Sequence, residues 1–210
     1  PSVATMMGID GLLDITADNQ VLPITRGERL KVVSMQALMT DGDQAVIWRG
    51  PAKTGVIRQF IGNVQWGDLD ILVIDAPPGT GDEPLSVAQT VSDAKALIVT
   101  TPQDVALSDV RKSINFCRTI NLELVGLVVN MGPFACPCCG ETVAPFGRGG
   151  GLRTAEQMGV DFLGSLPFDP AVVQAGDAGT PLMGQGGSTD FTRGLTGIVD
   201  SLSGRLGLTN

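Results

Sequence analysis

The residues best suited to chemistry form a short cysteine string, Cys136-Pro137-Cys138-Cys139-Gly140. Cys136 and Cys139 make a CxxC pair, and a CPxCG-type turn presents two thiolates to one metal while its backbone amides stay free to bond the sulfurs. A zinc or iron–sulfur site usually takes four ligands, and the chain contains no histidine. The simplest completion is a second knuckle from a second copy of the chain across a twofold axis. A redox dithiol and a structural zinc clip between subunits remain open alternatives at this point. Cys138 faces away in a CxxC turn and is accessory. Cys117, on the apolar face of a helical pattern, reads as a small buried hydrophobe.

A second group follows the apolar run Leu69-Asp70-Ile71-Leu72-Val73-Ile74-Asp75. Four apolar residues and then Asp at a strand end is the Walker B arrangement, in which the carboxylate meets Mg²⁺ across from a nucleotide phosphate. The following Pro77-Pro78-Gly79-Thr80-Gly81 makes a rigid turn, with the Gly79 amide in reach of a terminal phosphate. The plainer reading is that Asp75 caps a turn. No GxxxxGK[ST] string, the lysine-bearing phosphate cradle of P-loop proteins, occurs in the 210 residues. Gly147-Arg148-Gly149-Gly150-Gly151 lacks the Lys-Ser/Thr and reads as a loop. Asn130 suits an adenine contact through its amide, or simply a turn before Met131-Gly132. Trp48-Arg49 ahead of a helix reads equally as a surface anchor or a functional contact, and Asp104 as a helix N-cap.

These residues need strands to carry them. Leu69–Asp75, Ala96–Thr101 and Leu124–Asn130 are nearly continuous apolar, β-branched runs, the pattern of strands buried on both faces. Helical spacing fills the intervals, over Asp82–Val91 and Asp104–Ile120 (Val105, Leu107, Val110, Ile114, Cys117). Strand, helix, strand in alternation gives right-handed βαβ units. Further strands are expected at Leu30–Met35 and Asp161–Leu166. Further helices are expected at Pro51–Val64, Gly151–Met158 and Asp190–Leu206, the last core-facing through Leu195, Ile198, Val199, Leu202 and Leu206. Gly176–Ser188 reads as a surface loop. The sum is one α/β domain over residues 1–210. It is a doubly wound, mostly parallel sheet with helices on both faces, carrying a cysteine knuckle loop at 131–151. Ligands of such sheets sit at the carboxyl ends of strands, which directs attention to Asp75 with the turn through Gly79 to Asp82, to Thr101-Pro102-Gln103-Asp104, to Asn130, and to Pro167 and Asp169.

Composition narrows the partners. The formal charge is −8, from 14 basic and 22 acidic side chains. Nucleic acid and anionic membrane both need clustered Lys/Arg, and no run exceeds the pair Arg111-Lys112. No apolar stretch approaches the roughly 20 residues of a membrane span. No basic and apolar leader is visible, and a start at Pro1 is expected to lack something upstream. Three cysteines packed together do not resemble a secreted disulfide framework. A cytoplasmic chain is expected.

The combination Val46-Ile-Trp-Arg-Gly-Pro51, Asp75-Ala-Pro-Pro-Gly-Thr-Gly-Asp82, Val99-Thr-Thr-Pro-Gln-Asp-Val-Ala-Leu107, Val129-Asn-Met131 and Cys136-Pro-Cys-Cys-Gly140 resembles the Mrp/ApbC family in order and spacing. These are iron–sulfur cluster carrier ATPases of the MinD-like P-loop group. Phe146-Gly-Arg-Gly-Gly-Gly151 and Leu166-Pro-Phe-Asp-Pro170 extend the likeness over nearly the whole chain. The resemblance implies a homodimer that binds ATP and Mg²⁺ at the strand ends. It also implies a [4Fe–4S] cluster on paired CxxC motifs, with zinc a possible substitute, passed to apo iron–sulfur proteins. Asp75 would be the Walker B carboxylate, Gly79 a switch glycine near the γ-phosphate, Asn130 an adenine reader, Pro167 a wall of the base pocket, and Cys136 and Cys139 the cluster ligands. The family's Walker A loop has no counterpart in this sequence. The chain is therefore expected to lack its N-terminal Walker A region, not to hydrolyse ATP as it stands, and to be oligomeric or marginally stable. The alternatives are a MinD/ParA-like positioning ATPase and a non-enzymatic scaffold with a zinc knuckle.

Overall fold

The computed structural model describes residues 2–39, 50–183 and 187–208. In chain order its elements begin with α1 (Val3–Met6), β1 (Ile24–Arg26), β2 (Leu30–Val32), a 3₁₀ turn (Met35–Leu38), α2 (Gly50–Gly62) and α3 (Asp82–Thr90). Then come β3 (Lys95–Thr100), α4 (Asp104–Thr119), β4 (Glu123–Gly132), β5 (Phe134–Ala135) and β6 (Thr142–Val143). The chain closes with α5 (Gly150–Met158), β7 (Phe162–Pro167), α6 (Pro170–Asp177) and α7 (Asp190–Leu206). They fall into two compact units, one of residues 1–77, 81–91 and 171–182, the other of 78–80, 92–170 and 183–210.

The second unit is a parallel sheet of order β3-β4-β7 with helices on both faces. Successive side chains of a strand point to opposite faces, and β4 uses both. Leu127 and Val129 pack with Val110 and Ile114 of α4, and Met158 of α5 closes over them. Val128 turns the other way and meets Leu166 of β7 and Ile198 of α7. Ile114 and Leu127 are fully buried, each contributing about 1.5–3 kcal/mol by removal from water. The near-continuous apolar reading of this strand thus has its cause in two covered faces.

Both long helices are set by their ends. Thr189 accepts the Thr192 N–H while Thr192 bonds back to the Thr189 backbone, a reciprocal cap that starts α7, and left-handed Gly207 ends it. Along α7, Ile198, Leu195 and Leu202 face the sheet, whereas Val199, expected inside, is 47% exposed because it lies off that seam. In α4 the N-cap is Gln103 and not Asp104. Asp104 occupies the first turn, where a carboxylate complements the positive end of the helix.

In the first unit β1 and β2 form an antiparallel hairpin. The expected strand from Leu30 stops at Val32, since the chain turns into the 3₁₀ segment Met35–Leu38. Helix α2 lies against α3, joined by Lys53–Glu83 at 2.7 Å and by the Thr54 and Ser86 hydroxyls at 3.1 Å. The Lys53 ammonium holds the Glu83 carboxyl below its ordinary range. The expected strand Leu69–Asp75 is absent: these residues belong to no sheet, and Ile71, Leu72, Val73 and Ile74 are exposed, Val73 by 79%. An apolar run records that a segment is suited to burial, but a strand also needs a neighbouring ladder. No described strand pairs with this segment. Helix α6 was not anticipated, and its Pro170 takes the first position, where no N–H is needed. The expected 176–188 loop begins inside α6, which includes Gly176 and ends at Asp177, and residues 184–186 lie outside the described residues. Among the described residues no helix is long and apolar enough to cross a membrane.

Candidate functional site

The knuckle is built by a two-residue-wide hairpin. β5 and β6 pair antiparallel, Phe134 with Val143 and Ala135 with Thr142. At the tip the Cys136 N–H donates to the Glu141 carbonyl (2.8 Å), and the Gly140 N–H donates to the Cys136 carbonyl (2.9 Å). Gly140 takes φ +74°, a left-handed conformation natural to glycine, and so lets the turn close. The closure brings Cys136, Cys138 and Cys139 into one turn, with Cys136 half-buried and the other two exposed. The backbone N–H groups of Cys139 and Cys138, together with the thiols of both residues, point to the Cys136 sulfur and hold its thiol below the ordinary range, so Cys138 does not face away as expected. A shift in this direction favours the thiolate, the form that binds metal. Cys117 is the opposite case: it is buried in α4, and burial pushes its thiol up. Among the described residues no three Cys, Asp or Glu side chains stand together as a metal-enclosing set.

The stems of the insertion are pinned to the sheet by aromatic residues. Phe168, just past β7, packs against Phe134 at 5.7 Å and Phe146 at 6.4 Å between ring centroids. Its N–H donates to the Gly132 carbonyl at 2.9 Å. The return stem is Gly147-Arg148-Gly149-Gly150-Gly151, and its glycines are packing devices. A Cβ on Gly151 would lie 2.1 Å from Val129 Cγ2, and one on Gly150 would lie 2.5 Å from Leu107 Cδ1. They allow the start of α5 to sit directly on β4 and α4.

Of the residues expected to meet nucleotide, Asn130 and Pro167 lie at the carboxyl ends of adjacent strands, with Gly132 paired to Pro167. The first arm of the knuckle hairpin, β5, begins four residues beyond Asn130. The Asn130 side chain accepts the Met131 N–H at 2.9 Å, and Met131 sits at φ +57°; the amide thus serves the turn in this structure. Asp75 lies in the first unit, exposed and outside any strand. Gly79 has φ +104° with open space where a Cβ would stand, as its turn reading requires. Trp48 and Arg49 lie outside the described residues. Phe134 and Phe168 were missed because a side chain's partner across the sheet edge leaves no mark on local spacing, whereas Gln103 was pointed to by its place just past a strand end.

A parallel sheet with two covered faces, bearing an exposed dithiol hairpin at its carboxyl edge, defines an α/β fold of the P-loop NTPase type. The chain belongs to the family of NUBPL iron-transfer P-loop NTPases, whose ParA model matches residues 1–203. It is 40% identical over 208 residues to the iron-sulfur cluster carrier protein of Methanocaldococcus jannaschii, covering 98% of this chain and 72% of that protein. It is 44% identical over 181 residues to the cytosolic Fe-S cluster assembly factor CFD1 of Kluyveromyces lactis, covering 83% of this chain and 64% of that protein. Among solved structures, the nucleotide-binding protein of Archaeoglobus fulgidus in complex with ADP superposes with a TM-score of 0.69 at 34% identity, covering 85% of this chain and 69% of that one.

Proposed function

We propose that this chain is an iron–sulfur cluster carrier. Cys136 and Cys139 from each of two copies hold one [4Fe–4S] cluster as cargo and release it to apo iron–sulfur proteins in the cytosol. The observation that carries this reading is the exposed knuckle, in which backbone amides favour the Cys136 thiolate. An exposed site suits a cargo that must leave, whereas a structural metal is ordinarily enclosed by four ligands. One chain supplies two ligands in this turn, and a second copy brings the number to four. The names of the relatives support the carrier role.

Nucleotide would act as a switch, with Asp75 holding Mg²⁺ through water and Gly79 sensing the terminal phosphate. The donor set of residues 1–210 does not fit that role by itself. It contains no GxxxxGK[ST] lysine cradle, and Asp75 is exposed outside any strand. No hydrolytic step is therefore assigned to these residues.

Anaerobic reconstitution with iron and sulfide, followed by visible absorbance and metal analysis, tests the reading. Cys136→Ala and Cys139→Ala are expected to lose the cluster, and Cys138→Ala to keep it. Stoichiometric zinc without iron uptake would overturn the carrier in favour of a zinc-clipped scaffold.

A further inference from the structure

Beside the knuckle stem lies a cleft of about 380 Å³ that none of the roles above uses. One wall is the β3–α4 junction, Pro102, Gln103 and Asp104, and the other is Phe146, Arg148 and Arg153. Its chemistry is specific. In a chain of net charge −8, two guanidiniums face one carboxylate here, leaving one positive charge. Arg148 is held in place by donating Nη2–H to the Thr142 carbonyl at 2.9 Å, which leaves most of its five N–H donors free. The start of α5 adds to the same sign: Gly149 provides no side-chain cap, and the first turn carries no acidic residue.

Gln103 supplies an independent observation. Its Oε1 is buried and has no hydrogen-bond partner among the described residues. A buried acceptor left unmade costs on the order of 1–3 kcal/mol, and its residue lines the cleft. A turn of the Gln103 side chain would bring this oxygen to an occupant's N–H donor and remove that cost. The cleft therefore asks for an anion of single charge with an N–H beside it, and for an apolar body against Pro102 and Phe146. A peptide carboxylate has this composition, whereas phosphate, with up to two charges and no N–H, does not.

We propose that the cleft binds the carboxylate of a peptide segment, with Arg148 and Arg153 clamping the oxygens and Gln103 Oε1 accepting a peptide N–H. The Arg148–Thr142 bond ties it to the hairpin that carries Cys136 and Cys139. On the carrier reading, the peptide is a segment of the protein receiving the cluster, docked beside its cargo. That last clause rests on the proposed function; the binding itself does not.

The test is calorimetric titration of the metal-free protein, so its failure leaves the cluster reading untouched and loss of cluster binding leaves this one untouched. The probes are an acetylated, amidated pentapeptide containing one Glu, the same peptide with Gln, the Gln peptide with a free C-terminal carboxylate, sodium acetate and inorganic phosphate. The Glu peptide, the free-carboxylate peptide or both should bind, identifying the carboxylate source, and the amidated Gln peptide should not. Arg148→Ala and Arg153→Ala should each weaken binding about 10-fold, with Arg153→Lys intermediate. Gln103→Leu should weaken the peptide while leaving acetate unchanged, a split that a merely structural effect would not produce. Circular dichroism checks that each variant is folded. Phosphate binding more tightly than any peptide, affinity indifferent to both arginine variants, or no peptide binding at millimolar concentration would each overturn the proposal.

Discussion

Cys136 and Cys117 show how one residue type takes opposite properties from its surroundings. At Cys136, amide donors from Cys139 and Cys138 stabilise the thiolate; at Cys117, burial among apolar side chains favours the neutral thiol. Because the thiolate is the nucleophile, the pH midpoint for alkylation of Cys136 by iodoacetamide should lie below that of the same cysteine in the urea-unfolded chain. Cys117 should react only on unfolding. Peptide mass mapping across a pH series reads both, and equal midpoints for folded and unfolded Cys136 would remove the amide contribution. The chemistry of Cys136 was legible from its string, since a CPxCG turn dictates where its amides point. The engagement of the Asn130 amide by its own Met131 N–H was not, because Asn130 before Met131-Gly132 fits a base contact and a turn equally.

At the level of elements, the glycine-rich stem matters for what it lets approach. Gly151→Ala drives a methyl toward Val129 Cγ2, at 2.1 Å before relaxation. Val129 is β-branched and stiff, so α5 must shift; the substitution should destabilise by about 1–3 kcal/mol. Denaturant unfolding measures this, and adding Val129→Ala should recover part of the loss through coupling between touching residues. The strands β3, β4 and β7 were legible because their apolar runs sit between helices of matching period, and those helices cover both faces of β4. The run Leu69–Asp75 carries the same local signal without a strand to pair with among the described residues. Composition reports suitability for burial, and pairing is a property of the neighbours. The cleft at Gln103, Arg148 and Arg153 was illegible for a related reason: it joins segments more than 40 residues apart, and an unpartnered oxygen exists only once the chain has folded.

For the molecule as a whole, ligand number decides the assembly. The chain has four cysteines and no histidine, one of those cysteines is locked in α4, and the knuckle offers its CxxC pair. On the proposed reading, a cluster that takes about four protein thiolates would draw on two chains. With the chain itself acidic, association is not aided by net charge, and the shared cluster would supply much of the attraction. Cluster loading should convert the protein from a smaller species to a dimer. Native mass spectrometry of the anaerobically reconstituted protein measures this most directly. The account predicts one species containing two chains with four irons and four sulfides, dissociating when the cluster is chelated. A complete cluster on a single chain, or a dimer bridged by zinc alone after iron reconstitution, would contradict it.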